Sequence, residues 1–317
     1  MKKQQNKKKF IITIDTEGDN LWNYNLGDII ETRNADYLPR FQELCNEYQF
    51  KPVYLTNYEM INSSKFIDFV SKEAERGNCE IGMHLHAWNT PPEYNLSRKQ
   101  KGAGLPYLIE YPKDIMEEKI VTMTELITQR TGQRPVSHRA GRWTMNQDYF
   151  DILIQQGYKI DCSVTPHINW KSSKGYTEHS VGSDYRKSCL NPMWIHQSNG
   201  EGKILEIPVT TYKKIIPHWY KGEGIKSLIK TGYSLVKPKV LWLRPTLNNV
   251  DDMLRVITIN EKLGRDYLMF MIHSSELMPG GSPTFTSDDS ISNLYLALKD
   301  IFTLINENYA GYMLKEV

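Results

Sequence analysis

The stretch EIGMHLH, residues 80–86, has the pattern of a buried β-strand that ends in two histidines. Side chains at positions i and i+2 of an extended strand project to the same face, so His84 and His86 are expected to point the same way. Imidazole nitrogens are common ligands of zinc-type divalent metals. The stretch therefore predicts a strand of a buried sheet and, at its carboxyl end, a candidate metal site.

Two other apolar runs also end in titratable side chains. The segment TIDTEGD, residues 13–19, places Asp15 and Glu17 two residues apart, so both carboxylates are expected on one face. Far downstream, the run MFMIH ends in His273. Because the carboxyl ends of parallel strands meet at one edge of a sheet or barrel, these side chains are expected to share one pocket.

Strand-like and helix-like segments alternate along the chain. The strand-like segments are 10–15, 51–56, 79–84, 136–139, 158–163, 203–209 and 267–273, with a last short one at 312–314. Helical spacing of apolar residues covers 35–48, 63–76, 113–131, 146–156, 249–263 and 292–308. Repeated βα units imply an α/β fold with a parallel sheet, and seven strands suit an incomplete (β/α) barrel better than an open doubly wound sheet. No Gly-x-Gly-x-x-Gly or P-loop follows a strand-like run, so a nucleotide-binding fold has no support.

Long polar and aromatic segments interrupt this alternation. Residues 88–112 follow the histidine pair directly, and residues 165–202 and 212–247 are rich in aromatic side chains. Loops this long in a compact domain usually serve function, so they are expected as insertions at the carboxyl-end face of the barrel. We expect a disordered basic tail over residues 1–9 and a single barrel domain over residues 10–317.

Composition narrows the range of partners. The chain has 317 residues, 39 of them basic and 37 acidic, and a net charge of +2, which argues against nucleic acid as a partner. Its four cysteines lie far apart without a CxxC spacing and are expected to be free thiols. No stretch approaches a secretory signal or the roughly 20 apolar residues of a membrane span, so the expected location is the cytoplasm. The oligomeric state is left open.

Taken in order, the strand-end motifs resemble the polysaccharide deacetylase family, carbohydrate esterase family 4, over roughly residues 10–314. The resemblance implies a distorted (β/α) barrel with five motifs at the carboxyl ends of its strands. It also implies metal-dependent hydrolysis of an N-acetyl group on a sugar. The departures from the family motifs resemble a divergent subset linked to bacterial surface-polysaccharide synthesis.

The metal ligands implied by the resemblance depart from the usual family set. The first family motif carries two successive aspartates, whereas here Thr16 follows the first and Glu17 comes next. The second motif is His-Ser/Thr-x-x-His; His84 matches its first histidine, Trp88 stands at the second, and His86 is the nearest substitute. Glu17, His84 and His86 are therefore the expected ligands, with zinc as the expected metal.

The remaining motifs imply the catalytic groups. Asp15 occupies the position of the base, and Arg139 would orient its carboxylate. Asp161 would lie near Arg139, and His273 would act as the general acid. Trp88 and Trp143 are expected to contact the substrate, an N-acetylated sugar linked to a nucleotide or a lipid.

Several residues also have a structural interpretation. Arg139 could form a buried ion pair with Asp161, and Arg142 is expected in a salt bridge. Glu276 would either orient His273 or begin a helix. A missing metal ligand could come from a loop histidine, namely His167, His179, His196 or His218.

Two other functions remain open from the residues. One is a metal-independent amidohydrolase of the same fold, which the missing second histidine favours. The other is a non-catalytic glycan-binding protein with a decayed site. The simultaneous presence of Asp15, Arg139, Asp161 and His273 argues against decay, because a scaffold needs none of them together.

Overall fold

The computed structural model describes residues 7–24, 28–94, 104–214 and 239–317. Its strands are β1 (Lys8–Thr16), β2 (Pro52–Thr56), β3 (Glu80–Leu85), β4 (Ser137–Ala140), β5 (Ile160–Asp161), β6 (Met193–His196), β7 (Lys203–Glu206), β8 (Thr211–Lys214), β9 (Lys239–Trp242), β10 (Tyr267–His273) and β11 (Tyr309–Gly311). Its α-helices are α1 (Leu38–Glu47), α2 (Tyr58–Ile61), α3 (Ser64–Glu75), α4 (Lys113–Thr131), α5 (Gln147–Gln155), α6 (Val250–Lys262) and α7 (Asp288–Asn308).

Parallel strands form a curled sheet in the order β10-β1-β2-β3-β4-β5-β7. The antiparallel strand β6 extends the edge beside β7, and β11 pairs with the first residues of β1. The parallel strands are those that the alternation of the sequence predicts. The expected α/β fold with a distorted seven-stranded barrel is thus confirmed.

The strands are buried on both faces, as expected where helices cover a parallel sheet. Phe10, Ile12 and Ile14 of β1 belong to the large apolar cluster that includes the helices, whereas Ile11 belongs to a separate cluster inside the curl. Alternation along β1 therefore places Asp15 on the inner face, four residues after Ile11.

The barrel is distorted because hydrogen-bonded pairing does not join β7 to β10. Isolated contacts bridge this seam instead. The Tyr267 hydroxyl donates to the Pro208 carbonyl at 2.7 Å, and the Met269 amide donates to the Thr210 hydroxyl at 2.9 Å.

Both ends of the expected domain differ from the sequence interpretation. β1 begins at Lys8, within the stretch expected to be disordered, because Lys8 and the next two residues pair with β11. The last strand lies at Tyr309–Gly311 rather than at 312–314. Gly311 permits this pairing, since a Cβ there would lie 2.6 Å from the Phe50 Cα. Residues 1–6 of the expected tail lie outside the described residues.

Within the described residues, no helix combines the length and apolar character required to cross a bilayer.

Candidate active site

The carboxyl ends of β1, β3 and β10 open into one cavity of about 450 Å³, a size typical of ligand pockets. Asp15 and His273 are register partners on β1 and β10. The residues that line the cavity include Asp15, Glu17, Trp22, His84, His86, Trp88, Tyr107, Arg142, Trp143, Trp170 and His273. The structure thus brings together the expected base, acid, metal ligands and aromatic walls.

Glu17, His84 and His86 form a buried cluster whose ligand atoms all lie within 4.8 Å of one another. The Glu17 Oε2 atom lies 3.0 Å from His86 Nε2 and 3.6 Å from His84 Nε2. On the opposite side of the His84 ring, Nδ1 lies 3.0 Å from the Arg139 carbonyl oxygen. A carbonyl can only accept a hydrogen bond, so this contact favours the tautomer with its N–H at Nδ1 and leaves the Nε2 lone pair free for a metal, as is common around zinc histidines.

His86 is held less firmly. The Asn57 side-chain oxygen accepts from the Met60 amide at 3.1 Å, which turns the Asn57 amide nitrogen toward His86 Nδ1 at 3.5 Å. A contact of that length is at the limit of hydrogen bonding and fixes the tautomer only weakly. Two imidazoles and one carboxylate in one buried site fit a zinc-type ion that keeps further positions for water and substrate.

The backbone of Glu17 is fixed by residues that the sequence did not single out for this role. The Ser274 hydroxyl accepts from the Glu17 amide at 3.0 Å and donates to the Glu17 carbonyl at 2.9 Å. The Asn34 amide nitrogen donates to the same carbonyl at 2.7 Å. Ser274 therefore serves as a support for Glu17, and its hydroxyl is already engaged.

Electrostatics keep the two carboxylates ionised. Burial alone would raise the pKa of Asp15, but Arg139, His84 and His273 outweigh that effect and lower it. Burial would likewise raise the pKa of Glu17, yet its histidine neighbours hold it well below the usual range. The pKa of His84 is raised because Asp15 and Glu17 outweigh burial, whereas burial dominates at His86 and lowers its pKa.

Arg139 lies fully buried beneath the cavity and binds the candidate base. Its Nη1 donates to Asp15 Oδ1, its Nη2 donates to the Thr13 hydroxyl at 3.0 Å, and its Nε donates to the Cys162 carbonyl at 3.1 Å. Asp15 Oδ2 remains on the side of His273 Nε2, at 3.9 Å. The position of Arg139 is therefore suited to orient Asp15.

Asp161 does not reach the cavity. Ile160 and Cys162 on either side of it belong to the inner cluster, so Asp161 faces the helix layer instead. Its carboxylate lies 2.6 Å from His138 Nδ1 and accepts from the Ser163 amide and hydroxyl. The alternative in which Arg139 forms an ion pair with Asp161 is not found, because the described carboxylate that pairs with Arg139 is that of Asp15.

His273 is held from behind by a carboxylate and a guanidinium. Glu276 Oε2 accepts from the His273 amide at 2.9 Å and lies 3.1 Å from its Nδ1. Arg244 Nη2 lies 2.9 Å from Glu276 Oε1 and 3.0 Å from the same Nδ1. Glu276 thus orients His273 and also caps the start of the short 3-10 helix Ser274–Leu277. Arg244 was not predicted, although it follows an apolar run, as the other site residues do.

Aromatic side chains form the walls. Trp88 stacks on His86 with ring centroids 4.3 Å apart, and Trp143 lies parallel to Trp170 at 6.4 Å. Trp22, which the sequence analysis did not name, meets the His273 ring edge-on at 5.1 Å. Trp22 comes three residues after Asp19, the last residue of the acidic segment 13–19, and this position could have indicated that it lies near the site.

The loop histidines do not complete the ligand set. His167, His179 and His196 are absent from the cavity lining and from the candidate metal groups of the described residues. His218 lies outside the described residues.

Comparison with known proteins identifies the fold. No protein-family model matches the sequence, and no curated protein does. A candidate polysaccharide deacetylase from Mycobacterium smegmatis is 13% identical with a TM-score of 0.54, covering 97% of this chain and 88% of that one. A candidate glycoside hydrolase/deacetylase from Parabacteroides distasonis is 10% identical with a TM-score of 0.61, covering 96% and 69%.

The PuuE allantoinase is also similar, at 11% identity and a TM-score of 0.55, covering 97% of this chain and 87% of that one. At such identities the likeness establishes the fold. That fold is the one found in polysaccharide deacetylase structures, as the order of motifs predicted.

Proposed function

We propose that this protein is a metal-dependent hydrolase that removes an N-acetyl group from an amino sugar during surface-glycan synthesis. The observation that carries the proposal is one cavity in which the Glu17–His84–His86 cluster lies beside Asp15 and His273. The fold likeness to a candidate polysaccharide deacetylase supports the same reaction class.

The residues of the chain divide the chemistry. A divalent ion held by Glu17, His84 and His86 would polarise the amide carbonyl and acidify water. Asp15 would take a proton from the attacking water at Oδ2, because Arg139 already occupies Oδ1. Its lowered pKa keeps it ionised, and so able to accept that proton, at neutral pH.

His273 would protonate the leaving amine. Its Nε2 faces the cavity, 3.9 Å from both Asp15 Oδ2 and Glu17 Oε1. Glu276 and Arg244 both contact Nδ1 from behind, so Nε2 is the ring atom that would deliver a proton to the substrate from the imidazolium form. Trp88 and Trp143 would flank the sugar ring, since aromatic faces suit the apolar side of a pyranose.

The cytoplasm is the compartment that we propose. All four cysteines are free, and Cys189 is exposed, which suits a reducing environment. A nucleotide- or lipid-linked acetamido sugar is the proposed form of the substrate.

A metal-independent amidohydrolase is the second candidate. Trp88 at the position of the second family histidine supports it, as does the fold likeness to an allantoinase. The two candidates differ in whether a chelator removes the activity.

The test measures acetate release from N-acetylhexosamine glycosides by purified protein loaded with Zn²⁺, before and after chelation. The expected result is hydrolysis that chelation removes and added metal restores. His84→Ala should lose tight metal binding and activity. His196→Ala is the matched control because it removes an exposed histidine away from the cavity.

Activity that survives chelation would refute the metal-dependent reaction and support the metal-independent hydrolase instead. Binding of glycan without acetate release at any metal loading would contradict both enzymatic functions.

A further inference from the structure

Arg142 is a cavity residue that the proposed chemistry does not use. It lies in the turn Gly141–Trp143 directly after β4, and the backbone of Arg142 (φ 56°) and of Trp143 (φ 62°) is left-handed. Residues other than glycine rarely adopt this conformation, and where they do, it often belongs to a functional site. The turn packs tightly on the end of β3, since a Cβ on Gly141 would lie 2.5 Å from the Leu85 carbonyl oxygen.

The Arg142 guanidinium rests between aromatic rings. Its central carbon lies 5.9 Å from the centre of the Trp88 ring and 5.8 Å from that of Tyr107. Arg142 is exposed, and these cation–π contacts lie near the outer limit of about 6 Å, so they orient the guanidinium only loosely and leave its N–H groups free to donate.

The charge of Arg142 has no partner in the part of the chain that the structure describes. No described carboxylate lies within 4.0 Å of it, so the expected salt bridge is not found there. The other charged groups of the cavity are matched. Asp15 pairs with Arg139, and Glu17 contacts both histidines of its cluster.

We infer that Arg142 binds an anionic group of the substrate, and that the enzyme acts on an acetamido sugar that carries a carboxylate or a phosphate. This inference rests on the proposed function. A guanidinium presents parallel N–H donors that match the two oxygens of either oxyanion. Arg142 is the single Lys or Arg among the described residues that line the cavity, so a substrate oxyanion in the cavity would meet this guanidinium.

The experiment compares three substrates: the neutral methyl glycoside of N-acetylglucosamine, N-acetylglucosamine 1-phosphate and N-acetylglucosaminuronic acid. The value of kcat/KM for acetate release and the calorimetric Kd are measured for wild type, Arg142→Gln and Arg142→Asn. Asparagine tolerates left-handed backbone, which guards against misfolding of the glutamine variant. Arg255→Gln is the control, because it removes the same charge from an exposed position on α6.

Wild type should favour at least one anionic sugar over the neutral glycoside by about tenfold, the usual scale of a charged hydrogen bond. Both Arg142 variants should lose this preference, because their kcat/KM should fall far more on the anionic sugar than on the neutral glycoside. Arg255→Gln should behave as wild type. A preference for N-acetylglucosaminuronic acid would identify the bound anion as a carboxylate, and a preference for N-acetylglucosamine 1-phosphate would identify it as a phosphate.

Equal kcat/KM for neutral and anionic sugars in wild type would overturn the inference and leave the proposed hydrolase intact. An equal loss on all three substrates in the Arg142 variants would also overturn it. If no sugar is hydrolysed, the proposed function fails. The calorimetric Kd then decides on Arg142, and equal affinity for neutral and anionic sugars would refute its role.

Discussion

The two oxygens of Asp15 have different surroundings. Arg139 binds Oδ1 from within the barrel, while Oδ2 faces His273 across the cavity. The residue therefore combines an ion pair that fixes its orientation with an oxygen that can accept a proton.

Asp15→Asn should lower kcat by about 10²-fold or more, because an amide keeps the size of the side chain but cannot act as a base. The KM should change less, since the base acts on the transition state. Steady-state kinetics on the acetylated sugar provide the measurement. Thr13→Val is the control, because it removes another partner of Arg139 without touching the base. An Asp15→Asn enzyme as active as Thr13→Val would show that Asp15 is not the base.

The acid role of His273 predicts a dependence on the leaving group. His273→Ala should slow hydrolysis of an amide more than that of an activated ester, whose leaving group needs no proton. Glu276→Gln should produce a smaller change in the same direction, since Glu276 holds Nδ1 of the ring at 3.1 Å. Ratios of kcat on the two substrates provide the test. If amide and ester hydrolysis slow equally, His273 is structural.

At the scale of elements, helix α4 anchors the insertion that follows β3. Lys119 of α4 is 1% exposed, and its ammonium group donates to the carbonyls of Thr90 and Pro92. These carbonyls lie just beyond Trp88, which stacks on His86. A buried cation far from the chemistry thus positions one wall of the cavity.

Burial lowers the pKa of Lys119 from 10.5 to about 8. Between those two values the unfolded chain binds more protons than the folded one, so this residue makes the free energy of unfolding rise with pH. Below about pH 8, Lys119 is protonated in both the folded and the unfolded chain, so burial of its charge lowers the free energy of unfolding by its full amount. The Lys119→Met variant has no ammonium group at this position, so its free energy of unfolding should lack this dependence on pH.

Denaturant unfolding of wild type and Lys119→Met at pH 7 and pH 10 tests this. Wild type should gain free energy of unfolding relative to the variant at the higher pH. A difference that is the same at both pH values would mean that Lys119 is not penalised by burial. The comparison with the variant cancels the titration of other groups.

At the scale of the whole molecule, the candidate metal cluster joins parts of the chain that are distant in sequence. Glu17 follows β1, whereas His84 and His86 lie at the end of β3, with β2 between the two strands. An ion bound there would hold the carboxyl ends of these strands together. Because the unfolded chain cannot offer this ligand set, binding should stabilise the native state.

Zn²⁺ should therefore raise Tm. At a free concentration of 100 Kd, binding to the native state alone contributes about 2.7 kcal/mol. Glu17→Gln should remove most of the rise, and His196→Ala should retain it. Differential scanning calorimetry at several zinc concentrations makes the measurement. A rise of the same size in Glu17→Gln would place the ion elsewhere on the molecule.

Local patterns in the sequence determined the parallel strands, most helices and the shared direction of His84 and His86. Those features depend on periods of 2 and 3.6 residues, which are visible within a short window. The same patterns placed Asp15 and His273 at strand ends, where β1 and β10 pair side by side. The match to the polysaccharide deacetylase fold follows from this order of elements.

Only the tertiary structure decided which side chains meet. Arg139 pairs with Asp15, 124 positions away, and not with the nearer Asp161. Strand β5 is two residues long, so nothing in its sequence told which residue faces inward. The position of Arg244 behind His273 and that of Arg142 in the cavity lining were likewise decided by the tertiary structure. Such contacts depend on strand order, register and loop path, which arise from packing across the whole chain, so no short window of sequence shows which side chains they join.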